Sequence, residues 1–129
     1  MKSQNFRTRN NMVVYLSGPI TGVADYKQNF EKAQQALENL SVKYNLNIVV
    51  LNPAVLPEGL LPEEYMDIDL AMVRVADVVL LLDGWHQSPG AELERDLAKY
   101  SRKPVYLIFD FIDLWEDDHQ ISVYDVLEN

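Results

Sequence analysis

Three carboxylates fall within five positions of the stretch DGWHQSPGAELERDLAKY, residues 83–100: Glu92, Glu94 and Asp96. A carboxylate that faces a ligand can serve as nucleophile or general base, whereas one that faces water only keeps a helix soluble. Helical periodicity separates the two cases. With the segment from Pro89 to about Arg102 placed at ~100° per residue, Leu93, Leu97 and Tyr100 cluster within roughly 60° and are the expected sheet-packing face. Glu92, Arg95, Lys99 and Arg102 fall on the far side, where a solvated face with i, i+3 and i, i+4 ion pairs is expected, and Asp96 lies at its margin. Glu94 differs. It shares a flank with Gly90, Ala98 and Ser101, whose small side chains leave room above a carboxylate, so it reads either as a half-buried functional group or as a boundary residue.

Other chemistries find little support. The chain has no cysteine, and His86 and His119 lie far apart without ligand spacing, so neither a disulfide framework nor a metal site is indicated. The phrase GPITG, residues 18–22, lacks the later glycines of a dinucleotide fingerprint and the lysine of a phosphate-binding loop, so no nucleotide cofactor is expected. His86 reads as an exposed loop residue more readily than as a proton carrier. Trp85 fits base stacking and simple covering of a sheet end equally well. Asp77 reads as the start of a strand, and Asp83, at the other end of that strand, as solvent-facing or ligand-facing.

The elements that would position these groups follow from one rhythm. MVVYLSG, from Met12 to Gly18, is a short apolar run ending in glycine, followed by Phe30, Ala33, Leu37, Leu40 and Tyr44 at helical spacing. LNIVVLNPA, from Leu46 to Ala54, is a second strand closed by Asn-Pro. Pro62 suits the first position of a helix that carries Tyr65, Ile68, Met72 and Val75. ADVVLLLDG, from Ala76 to Gly84, is apolar almost throughout rather than alternating, which is the pattern of a strand buried on both faces of a parallel sheet. Ser88 and Pro89 then supply an N-cap and first turn, and KPVYLIFD, from Lys103 to Asp110, reads as a fourth strand. The tail is ambiguous, with ISVYDVL readable as strand or helix. Strands alternating with helices predict an α/β fold, an open, doubly wound, mostly parallel sheet of about five strands, flavodoxin- or Rossmann-like. Ligands of such sheets bind beyond the carboxyl ends of the strands, which directs attention to residues 18–25, 52–61 and 84–88. Residues 1–11 are expected to form a flexible arm and 12–129 a single domain.

The order YLSGPITG, then NPA, then DIDLAMVRVADVVLLLDGW and SPGAELERDLA resembles the nucleoside 2-deoxyribosyltransferase-like superfamily over roughly residues 12–109. It is similar above all to an uncharacterised phage and bacterial branch, and also to the 2′-deoxynucleoside 5′-monophosphate N-glycosidases. The resemblance implies an N-glycosidic reaction in which Glu94, in the series Gly90, Glu94, Ala98, is the nucleophile and Asp69 the second acid, which assists the leaving base or positions the sugar. It also implies that Ser17, Gly18, Pro19 and Ile20 line the base and sugar site, that Tyr15 matches a tyrosine ending the first strand in the glycosidases, and that Ser88 contacts a 5′-phosphate; the motif glycine Gly90 and the loop residue Trp85 complete the expected substrate site. Ser88 serves equally as a plain N-cap, at a helix end whose free N–H groups suit an anion. Both enzyme groups commonly have glycine where this chain has Asp96, which adds bulk and charge. Relatives complete their sites with a neighbouring subunit, which implies a homo-oligomer.

Composition limits the partners. Lys and Arg total 11 against 20 Asp and Glu in 129 residues, and the formal charge of −9 repels nucleic-acid backbones. No run reaches the ~18 apolar residues of a membrane span, and the N-terminus lacks a signal-peptide pattern, so a soluble cytoplasmic protein is expected. Asp110, Asp113, Glu116, Asp117 and Asp118 form an acidic run that reads as solvated surface. Three functions fit these features: a transferase or hydrolase acting on a nucleoside or nucleotide, a catalytically silent nucleotide-binding module, and an interaction protein using the acidic tail.

Overall fold

Alternation along the first strand decides the layering. In a computed structural model that describes residues 11–117 and 121–127, β1 (Asn11–Ser17) sends Met12, Val14 and Leu16 to one side of the sheet and Val13, Tyr15 and Ser17 to the other. The first set packs with α1 (Tyr26–Tyr44) through Phe30, Ala33, Leu37 and Leu40, the apolar positions of its 3–4 spacing. The second set meets α2 (Pro62–Val75) and α3 (Pro89–Tyr100). β3 (Val78–Leu81) is buried at every position and repeats the pattern, with Val78 and Leu80 on the α1 side and Val79 and Leu81 on the other.

With β2 (Asn47–Leu51) and β4 (Val105–Leu107) at the edges, the sheet is four-stranded and all parallel, in the order β2-β1-β3-β4. The chain order reverses between β1 and β3, so the switch point of this doubly wound sheet lies there. Register places Ser17 opposite Leu81, and the Leu82 N–H donates to the Ser17 carbonyl at 2.8 Å. At the opposite end of this strand pair, the Val13 N–H donates to Asp77 Oδ2 at 2.8 Å and the Asp77 N–H to the Val13 carbonyl at 2.7 Å. Asp77 therefore starts its strand in the sense its position suggested.

Four sequence expectations need correction. There are four strands where about five were expected. The segment 103–110 holds only three strand residues, because α4 (Ile108–Asp117) begins immediately and buries Ile108, Phe111 and Trp115 against the α1 side. Residues 123–127, within the ambiguous tail, form α5 (Val123–Leu127), and Asn11 belongs to β1 rather than to an N-terminal arm; the rest of that arm, like Asp118 and His119, lies outside the described residues. Most consequential is the orientation of α3. Its buried residues are Ala91, Glu94 and Ala98, while Leu93 is 47% and Tyr100 88% exposed and Leu97 half-buried. Alanines let the helix approach the sheet closely, and that close contact outweighs the larger apolar side chains that the wheel had turned inward. Among the described residues, no helix is long and apolar enough to cross a membrane.

Candidate active site

Two helices and one strand bring four polar side chains together in a layer that is otherwise apolar. Glu94 stands between Ala91 and Ala98 on the packed face of α3 and is 5% exposed. Asp69 stands one turn before Val73 on the packed face of α2 and is 8% exposed. Tyr15 and Ser17, two apart on β1 and so on the same face, are fully buried beneath them. Tyr15, Val73, Val79, Leu81 and Ala98 supply the apolar surroundings.

One hydrogen bond organises the group: Ser17 Oγ donates to Glu94 Oε1 at 2.7 Å. Two buried oxygens stay without a hydrogen-bond partner, Tyr15 Oη and Asp69 Oδ1. The Tyr15 hydroxyl lies within the electrostatic reach of both carboxyls and weakly favours the charged form of Glu94, without a hydrogen bond of ordinary geometry to either. Burial disfavours charge on every member. It pushes Glu94 up to about 7, opposed by the Ser17 hydrogen bond and reinforced by Asp69. Asp69 is pushed up to about 6 by burial, with an opposing contribution from Glu94. Burial, then the two neighbouring carboxylates, drive the Tyr15 phenol far above its ordinary value. The pair thus exchanges protons in the neutral range, where a carboxyl can act as acid and as base.

The loop residues divide differently from their sequence expectation. Gly18 is required by close approach, since a Cβ there would lie 3.0 Å from Leu82 Cβ. Ile20 packs on the α1 side of the core, away from the four polar groups. Pro19 rests against Gly84, which turns the chain at φ +84 after β3. Gly90 lets α3 approach α2, because its Cβ would meet Met66 Cε at 3.3 Å. Ser88 Oγ accepts from the Ala91 N–H at 3.2 Å as the N-cap of α3. Trp85 opens a short 3-10 turn (Trp85–Gln87), with His86 edge-on to it at 6.0 Å and the Arg95 guanidinium 5.1 Å over its ring.

Arg95 is therefore not part of a purely solvated face. Its Nε sits 3.1 Å from Asp96 Oδ1 without the alignment of a hydrogen bond, and its stacking on Trp85 had no periodic signal in the sequence. Asp96 itself is exposed and turned to Arg95, not toward the buried pair. A groove of about 730 Å³ runs along α1 and the loop after β2, lined by residues such as Lys27, Gln34, Asn52 and Leu56. None of the four converging residues lines it, so the chemistry and this groove are separate features. Among the described residues, no group of three or more His, Cys, Asp or Glu side chains is arranged to hold a metal ion.

A parallel α/β sheet carrying a buried carboxyl pair beside its switch point defines a Rossmann-like domain with an acid-lined candidate site. Residues 12–107 match the model of the family described as Domain of unknown function (DUF4406), and the chain belongs to that family. Among curated proteins, none matches the chain significantly.

Proposed function

We propose that this protein cleaves or transfers at the N-glycosidic bond of a 2′-deoxyribonucleoside or its 5′-monophosphate. The observation that carries this reading is the meeting of Glu94 and Asp69, from different helices, in a buried layer where Tyr15 Oη and Asp69 Oδ1 lack partners. Native interiors rarely leave such atoms unpaired, and hydroxyls of a bound sugar are suitable partners. The resemblance of the ordered motifs to the nucleoside 2-deoxyribosyltransferase-like superfamily supplies the substrate class.

In this mechanism the ionised Glu94 attacks the anomeric carbon as the carbon–nitrogen bond breaks, and the bonding pair leaves with the base. For this step the proton of the pair lies on Asp69, the minor arrangement because Glu94 is the weaker acid, and Asp69 gives it to the departing nitrogen. Water or a second base then attacks the same carbon, the ester to Glu94 breaks, and the incoming group's proton passes to Asp69. Two displacements give net retention of configuration. Water as acceptor gives hydrolysis, and a base gives transfer.

A second reading, a nucleotide-binding module without turnover, draws support from the closure of the site: Glu94 and Asp69 are nearly sealed from solvent. Incubation with 2′-deoxynucleosides and their 5′-monophosphates, with and without a free second base, separates the two. Base release or exchange, followed by chromatography and lost by at least ~10³-fold in Glu94→Ala, is the expected result for a missing nucleophile. Ligand binding without product at single-turnover enzyme concentrations would leave the binding module.

A further inference from the structure

Ser17 is a hydroxyl on a sheet face whose other positions are largely apolar, and it has no exposure to solvent. A buried hydroxyl is unfavourable unless it is partnered. Its partner is Glu94 Oε1, 77 residues away in the chain. We propose that Ser17 is a positioning residue for Glu94: its hydroxyl holds Oε1 in place and favours the ionised form of Glu94 against the burial and the neighbouring carboxyl that oppose it. Its kinetic consequence rests on the reading of Glu94 as nucleophile; its effect on charge does not.

Among the described residues around the two acids, Ser17 is the one whose hydroxyl is aligned to donate to a carboxyl. Tyr15, also from β1, reaches both carboxyls electrostatically and favours the charged form of Glu94 more weakly than Ser17 does, without a hydrogen bond of ordinary geometry. From α2 comes Asp69 itself, whose Oδ1 is unpartnered. β3 contributes Val79 and Leu81, and β4 contributes Val105. In the turn before α3, His86 lies against Trp85, and on α3 itself Arg95 lies over the same ring. A hydrogen bond donated to a carboxylate favours its charged form, and the short side chain of serine keeps that donor in one place. The backbone is pinned as well, because Ser17 lies in the β1–β3 ladder and its carbonyl accepts from the Leu82 N–H. Without this hydroxyl, burial and the neighbouring Asp69 would hold the proton on Glu94 to still higher pH, and a protonated glutamate cannot capture an anomeric carbon.

The test is a carboxyl titration of the full chain carrying ¹³C-labelled glutamate, with the Glu94 resonance assigned by its loss in Glu94→Gln. In Ser17→Ala the Glu94 midpoint should rise by about one pH unit, the size of one charge-assisted hydrogen bond. Ser17→Cys, which keeps the volume and donates weakly, should fall between and guards against a packing defect in the alanine variant. If base release is found, the acid limb of kcat/KM should move upward with the midpoint, and the rate should recover on the alkaline side. A Glu94 midpoint unmoved in both folded variants, or a rate lowered equally at every pH, would overturn the proposal. If the unmutated protein releases no base, the nucleophile reading fails, and the midpoint comparison still decides Ser17's hold on the charge.

Discussion

Glu94 and Asp69 are held where a carboxylate charge is least stable, and this makes the domain's stability depend on pH in an unusual direction. Glu94 rises from 4.5 to about 7 and Asp69 from 3.8 to about 6 on folding. Between those limits the folded chain binds more protons than the unfolded one at these two sites. Their contribution is therefore complete at pH values below about 4 and is lost as pH rises through about 6 to 7. Glu94→Gln removes the larger part of that loss. Urea unfolding at a series of pH values should show the variant gaining on the unmutated protein between pH ~4.5 and ~8, by on the order of 3 kcal/mol at the alkaline end. A difference that stays flat over this range would mean that Glu94 is not held in the neutral form by burial.

At the scale of elements, α3 carries a stability prediction that tests which face it buries. Ala98 is fully buried, so Ala98→Leu overpacks the contact with the sheet and should cost about 1–3 kcal/mol. Leu93→Ser changes an outward-facing side chain and should stay within about 0.5 kcal/mol. Urea midpoints of the two variants should differ in that order, the reverse of what the helical wheel implies. The same helix shows how far sequence reasoning reaches. Pro89 and Ser88 correctly mark its start, and the small residues around Glu94 correctly mark that carboxylate as unlike Glu92 and Asp96. What the wheel missed is that side-chain size, not apolarity alone, chooses the packed face when a helix lies close to a sheet. Strand lengths were similarly out of reach at β4, where VYL and the following IF are equally apolar, and the chain turns helical at Ile108 because Phe111 and Trp115 then bury against the α1 side.

For the whole molecule, charge is the dominant long-range feature. A chain with a formal charge of −9 repels itself, and salt screens that repulsion over a length of about 8 Å at physiological ionic strength. Tm should therefore rise between 10 mM and 150 mM sodium chloride. On the proposed N-glycosidic reading the same field acts on a charged substrate: kcat/KM for a 5′-monophosphate should increase with ionic strength, while that for an uncharged nucleoside should change little. Parallel salt profiles for the two would show that the site is shielded from the field of the whole chain. The order of strands and helices, their approximate starts, the parallel α/β class and the singling out of Glu94 were all determined by the sequence itself, because periodicity, proline and glycine placement, and side-chain size act locally. The pairing of Glu94 with Asp69 rested there on family resemblance, and the hold of Ser17 on Glu94, the stacking of Arg95 on Trp85 and the outward turn of Leu93 and Tyr100 were decided only by tertiary structure. Each depends on which distant elements share one face of the sheet, and that is set by the strand order and by how closely α2 and α3 pack, neither of which is written in any single segment of the chain.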